Sequence, residues 1–169
     1  MISDSFSNAC GRIAIIINTL NMKWILRSFQ ELTPKELYDI LSLRNNVFVV
    51  EQNCVYQDTD HKDERSFHLW CQSTDSAVVA YCRLLPPGVS YREASVGRVV
   101  VHPDFRGNGL GRQLMQEAIL QCSSLFHTHS IVISAQFHLA RFYQSLGFRE
   151  QGAVYLEDGI EHIEMHRSR

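Results

Sequence analysis

Seven consecutive residues, Arg106-Gly107-Asn108-Gly109-Leu110-Gly111-Arg112, have the types and spacing to hold an anion. Glycines at alternate positions let the backbone approach a ligand closely. Apolar residues then recur at helical spacing, as Leu110, Leu114, Met115, Ala118, Ile119, Cys122 and Leu125. The first amide N–H groups of such a helix lack internal partners and lie at the positive end of its dipole, which suits a phosphate. Arg106 and Arg112 flank the turn and add charge-assisted contacts. Ahead of it, Val99-Val100-Val101 suits a buried strand, which His102-Pro103-Asp104 ends because Pro cannot donate to a sheet ladder. The local order is strand, glycine turn, helix.

The identity of the anion follows from spacing. A mononucleotide P-loop needs Gly-Lys-Ser/Thr, and the triplet here is Gly111-Arg112-Gln113. A dinucleotide fingerprint spaces its glycines as GxGxxG, which Gly107, Gly109 and Gly111 do not. Arg106 to Gly111 instead resembles the coenzyme A pyrophosphate loop of the GNAT superfamily of N-acyltransferases, Arg/Gln-x-x-Gly-x-Gly/Ala. The plain alternative is a turn that only joins a strand to a helix. Tyr143-Gln144-Ser145-Leu146-Gly147-Phe148 resembles the second signature of that superfamily, a helix ending in Tyr-x-x-x-Gly-Phe. Arg44 to Gln52, Tyr56, and Asp158 to Met165 resemble its ElaA branch, whose acceptors are poorly defined. Glu161 departs from the Pro expected there, which bears only on the shape of the last strand. The resemblance runs from about Lys23 to the end of the chain.

The resemblance implies transfer of an acetyl group from acetyl-coenzyme A to an amine by direct attack. That route needs a held thioester, an oxyanion donor, a way to deprotonate the ammonium, and an acid for the departing thiolate. Carried onto this chain, Val99, Val100 and Val101 contact pantetheine, with a backbone N–H as oxyanion donor. A bulge in that fourth strand splays it from its neighbour. Arg106, Gly107, Asn108, Gly109, Leu110, Gly111 and Arg112 hold the diphosphate. Gln136 stands where many relatives have a pantetheine-contacting Asn.

Tyr143 matches the tyrosine that protonates the leaving thiolate, a phenol's pKa of about 10 being close to a thiol's. Its alternative is an amphipathic packing role. Many relatives carry a basic carboxylate on the fourth strand, but Ala94-Ser95-Val96-Gly97-Arg98 has none. Glu51 is the first candidate for the base and His162 the second, against a solvated helix end and a half-exposed strand histidine. The acidic stretch Asp58, Asp60, Asp63, Glu64 either steers a cationic amine or is simply solvated.

The rest of the chain must position these groups. A length of 169 residues suits one domain, and a net charge of -2 gives no electrostatic case for nucleic acid or an anionic membrane. Five scattered cysteines without C-x-x-C read as reduced thiols of a cytoplasmic protein. Eight histidines lack an accompanying ligand cluster, so no metal site is expected. Residues 1–21 read as an N-terminal extension, either disordered or an added edge strand, or as the product of an upstream start codon. The family domain then occupies 22–169.

Thr33-Pro34-Lys35-Glu36 opens a first helix with a capping box. Val47 to Glu51 continues it, as a second helix or beyond a kink, and Asn53 to Arg65 reads as a surface loop. Lys23 to Phe29 reads as a first strand, and further strands are expected at 67–73, 77–85, 94–101, 130–135, 150–156 and 160–166, with helices after Gly109 and over 139–146. Asp158-Gly159 suits a hairpin turn. The implied architecture is an α/β GNAT fold. It is a mixed, mostly antiparallel sheet of about six to seven strands flanked by helices, splayed at strands four and five. The competing function is a coenzyme-binding module that senses acetyl-coenzyme A without turnover. A homodimer stays open.

Overall fold

The computed structural model describes residues 22–168, so the expectation for residues 1–21 lies outside the described residues. Seven strands form one sheet in the order β1-β2-β3-β4-β5-β7-β6. They are β1 (Lys23–Ser28), β2 (Phe67–Gln72), β3 (Val78–Leu85), β4 (Ala94–Val101), β5 (Ile131–Gln136), β6 (Arg149–Glu157) and β7 (Ile160–Arg167). Only β4 and β5 are parallel; all other neighbours are antiparallel. The expected mixed α/β architecture is therefore observed, with boundaries within a residue or two of the pattern in the sequence.

Helix α1 (Pro34–Arg44) starts as the sequence dictates. Thr33 Oγ1 accepts from the Glu36 amide at 3.2 Å, and Glu36 returns a bond to the Thr33 amide at 2.9 Å. Ile40 and Leu43 pack on Trp70, Tyr81 and Val100 on one face of the sheet. Helix α2 (Leu110–Phe126) covers the other face, where Leu114, Met115, Ala118 and Cys122 meet Leu69, Cys82, Leu84 and Val96. Each large apolar side chain buried there contributes roughly 1.5–3 kcal/mol. Helix α3 (Ala140–Gln144) packs beside β5 and β6.

Two segments differ from expectation. The continuation of α1 is a π-helical stretch, Asn45–Glu51, in which the Gln52 amide reaches the Val47 carbonyl at 3.1 Å. Such widened turns concentrate at functional sites. The polar stretch 53–65 runs along the surface as expected, but three of its acids turn inward. Asp63 is buried, and Asp58, Asp60 and Asp63 bind Arg44, Arg83 and Arg98. Charges taken out of water must pair or their burial is prohibitive. These arginines claim the acids that the sequence alone leaves free to steer a substrate.

Candidate active site

The sheet opens between β4 and β5. Their pairing covers only Ala94 with Ile131 and Ser95 with Val132. Tyr81 faces Val100 while Arg83 faces Gly97, which leaves Cys82 opposite both Arg98 and Val99. This is the expected bulge, and it bends the strand. Arg98 adopts a φ of 52°, a left-handed conformation that a non-glycine residue holds only when its surroundings enforce it.

Backbone direction past the bulge follows from pairing. Val100 pairs with β3, and the His102 amide donates to Val79 O at 2.8 Å. Alternate residues of a strand turn their N–H and C=O groups to opposite edges. Val99 and Val101 therefore direct theirs into the opening. Consistent with this, Val101 O accepts a 3.0 Å bond from Arg106 Nε on the loop that follows.

The loop adds a second row of donors. Gly107 and Gly109 have φ of 81° and 80°, and no atom lies within 4 Å of where a Cβ would stand. Between Gly107 and Arg112, no backbone amide donates to a protein acceptor among the described residues. Gly111 fits α2 closely against β4, its Cβ position lying 3.6 Å from Val101 Cγ2. The two rows line a cleft of about 1180 Å³, which Tyr143, Gln136 and His162 also reach. Free amides, a helix N-terminus and open space suit a diphosphate, while the unpaired β4 edge suits an amide-bearing chain such as pantetheine.

The remaining expected residues fall as follows. Tyr143 is 6% exposed, its ring edge-on to Phe142 and Phe148 at 5.0 and 5.9 Å between centroids. Burial holds its phenol well above the ordinary range, so it stays protonated. Gln136 donates to Gln52 Oε1 at 3.2 Å, tying β5 to the segment after α1. His162 stacks on Tyr155, with Nδ1 2.9 Å from Ile160 O. A carbonyl only accepts, so Nδ1 carries a proton, and Nε2 has no hydrogen-bond partner among the described residues.

Glu51 does not stand as a free base. Both its oxygens are taken by Arg106, at 2.6 and 2.9 Å. Hydrogen bonding from Arg106 is the largest influence on its carboxyl and holds it below the usual range. The same pair means that Arg106, though half exposed, is engaged by Glu51. Arg112 donates to Ser145 Oγ at 2.7 Å. Ser134, Tyr155 and Glu157 also line or adjoin the opening, and local sequence patterns carry no signal for them. Among the described residues no group of three or more His, Cys, Asp or Glu is arranged to hold a metal. No helix among them is long and apolar enough to cross a membrane.

A sheet splayed at one parallel pair, with a bulge and a glycine-rich helix N-terminus facing the gap, defines an acyltransferase architecture built for a coenzyme A thioester. Comparison with known proteins agrees. The family model for the acetyltransferase (GNAT) domain matches residues 33–169. A UPF0039 protein of Schizosaccharomyces pombe is 42% identical over 146 residues, 86% of this chain and 96% of that protein. The crystal structure of an acyl-CoA N-acyltransferase from Pseudomonas aeruginosa superposes with a TM-score of 0.83 at 41% identity, covering 88% of this chain and all of that one. That of Escherichia coli ElaA gives 0.81 at 39% identity, covering 87% and 99%. The chain belongs to the GNAT acetyltransferase family, in its ElaA-like branch. It is accordingly an acyltransferase that uses a coenzyme A-derived co-substrate.

Proposed function

We propose that this protein is an acetyl-coenzyme A-dependent N-acetyltransferase that passes the acetyl group to a primary amine by direct attack. The observation that carries the reading is the meeting of two unpaired backbone rows in one cleft. They are the amides from Gly107 to Arg112 and, on the β4 edge, the groups of Val99 and the N–H of Val101, whose carbonyl is taken by Arg106. The first row, with Asn108 and Leu110 in it, holds the diphosphate. The second pairs with pantetheine alongside Val100 and Gln136. The Val99 N–H, fixed by the bulge, is assigned as the oxyanion donor, and such a donor contributes about 3 kcal/mol to an acyl transfer.

Tyr143 supplies the proton to the departing thiolate. His162 takes the amine's proton, directly or through a water, because its Nε2 has no hydrogen-bond partner among the described residues whereas both oxygens of Glu51 are held by Arg106. The catalytic domain spans 22–169, preceded by the 1–21 extension.

Thiol release from acetyl-coenzyme A across a panel of primary amines tests turnover. Binding of coenzyme A without release across the panel supports the sensing module instead. Gly109→Glu tests the cradle, since it puts a carboxylate where the phosphate sits and forces a side chain onto a φ of 80°. It abolishes coenzyme A binding by calorimetry; unchanged affinity refutes the placement.

A further inference from the structure

Four carboxylates line the cleft: Glu51, Asp60, Glu157 and Asp158. Arg106 occupies the first and Arg83 the second. Glu157 and Asp158 have no cationic partner within salt-bridge distance among the described residues. Asp158 is at the tip of the β6–β7 hairpin, where its carbonyl accepts from the Cys54 thiol at 3.3 Å. Glu157 is aimed. Its Oε2 accepts from Ser134 Oγ at 2.8 Å, and Ser134 Oγ is 2.6 Å from the Tyr155 hydroxyl. A serine has one proton and a carboxylate only accepts. The relay therefore runs from the Tyr155 hydroxyl to Ser134, and from Ser134 to Glu157, leaving Oε1 unused.

The position of this relay matters more than its bonds. Ser134 lies two residues beyond Val132, the last residue of β5 that pairs with β4, so it stands at the crotch of the splay. Gln136 is two residues further on the same face, about 7 Å away along the strand. Tyr155 stacks on His162 across the β6–β7 pair, with ring centroids 6.2 Å apart. Tyr91 flanks the group from before β4; burial first, then Tyr155, Glu164 and Glu157, push its phenol up to about 12, so it stays neutral. Of the lysines and arginines lining the cleft, Arg83, Arg98 and Arg106 are paired with carboxylates, Arg112 donates to Ser145 at the far end on α2, and Lys62 comes from the 53–65 segment rather than from β5 to β7. The open carboxylate beside His162 is thus the anionic feature that a cationic substrate meets at this end.

We propose that Ser134, Tyr155 and Glu157 form the ammonium-binding subsite of the acceptor, with Glu157 as the residue that selects a cationic primary amine and orients it toward the β4 bulge. The proposal rests on the cleft being the site of acyl transfer. Glu157 binds and positions; the proton leaves through His162.

The probe is n-butylammonium chloride, with 1-butanol as its neutral isostere, titrated into the full-length protein while backbone amide NMR signals are followed. Butylammonium shifts the Ser134, Tyr155 and Glu157 amides at concentrations where butanol does not. Glu157→Gln weakens the titration about tenfold and Ser134→Ala severalfold, while coenzyme A affinity by calorimetry stays within twofold of wild type. Equal shifts from butanol, wild-type affinity in Glu157→Gln, or shifts confined to residues 58–64 overturn the subsite. Coenzyme A calorimetry on the unmodified protein reads the transferase assignment separately. Loss of that binding with an intact butylammonium response refutes the assignment, and the converse refutes only the subsite.

Discussion

Arg98 Nε lies 2.7 Å from Asp58 Oδ1, and Arg98 Nη2 donates to the Asp58 carbonyl at 3.0 Å. One residue thus carries both the left-handed backbone of the β4 bulge and the anchor that holds it. Asp58 also binds Arg44 at 2.7 Å, and Arg44 is fully buried. The 53–65 segment and α1 are in this way fastened to the point where β4 leaves its neighbour. The ion-pair network shapes the opening; it does not supply the chemistry.

Two substitutions separate the anchor from the backbone. Arg98→Ala removes the ion pair and keeps a Cβ on a φ of 52°. Arg98→Gly removes the ion pair and the strain together. The glycine variant is expected to be more stable than the alanine variant by about 1 kcal/mol in urea unfolding. Both lose catalytic efficiency with acetyl-coenzyme A, because the Val99 N–H is no longer held in place. Equal stability of the two variants counts against backbone strain at this position.

Glu51→Gln tests the pairing with Arg106. The pair is half exposed, at 38% and 42%, so it contributes only about 0.2–1 kcal/mol. Releasing Arg106 toward the diphosphate is expected to tighten coenzyme A binding by about threefold at low salt, a gain that added salt screens. The pH dependence of turnover is expected to match wild type. A flattened profile in this variant restores Glu51 as the base.

The segment from Val99 to Arg112 was legible because its signals are local: a β-branched run, a Pro break, alternate glycines and then helical periodicity. The capping box at Thr33 and the turn at Asp158-Gly159 were legible for the same reason. What was not legible depends on contacts between residues far apart in the chain. Arg44 meets Asp63 across 19 residues, Ser134 meets Glu157 across 23 and Glu51 meets Arg106 across 55. Residue type alone makes Asp58, Asp60 and Asp63 look solvated and Glu51 look available. Only the fold reveals which arginine each one faces.

Tyr143→Phe is expected to lower kcat by about a hundredfold with little change in the KM for acetyl-coenzyme A, since the ring and its packing against Phe142 and Phe148 remain. Burial first, and then the neighbouring Cys82, hold the phenol above its ordinary value. No loss of rate from Tyr143 ionisation is therefore expected up to about pH 10. Profiles of kcat in wild type and variant over this range check both statements. Equal losses in kcat and in coenzyme binding reassign Tyr143 to packing.

Stability is expected to fall on the acid side in two stages. His68 is buried, with Nε2 3.1 Å from Asp63 O and Nδ1 2.8 Å from the Tyr81 hydroxyl. The carbonyl fixes Nε2–H as a donor, and because burial keeps the ring neutral, Nδ1 accepts from the Tyr81 hydroxyl. Burial pushes its pKa below the ordinary value. The unfolded chain therefore binds a proton that the folded chain refuses, and stability starts to fall below about pH 6.5. Asp60 and Asp63 follow. Burial, the largest influence on each, would raise them, but hydrogen bonds and charge from Arg83 on Asp60, and from Arg44 and Arg83 on Asp63, outweigh it and hold both below the usual range. Their contribution is complete above the unfolded value of about 4 and is lost as pH drops through the lower folded values. Asp63→Asn leaves Arg44 and Arg83 short of one anion and is expected to cost about 3 kcal/mol at neutral pH. It also flattens the second stage while sparing the first. Urea unfolding at about pH 7, 5.5, 4 and 2.5 resolves the two stages. A variant whose stability runs parallel to wild type over that range excludes Asp63 as their acid-sensitive link.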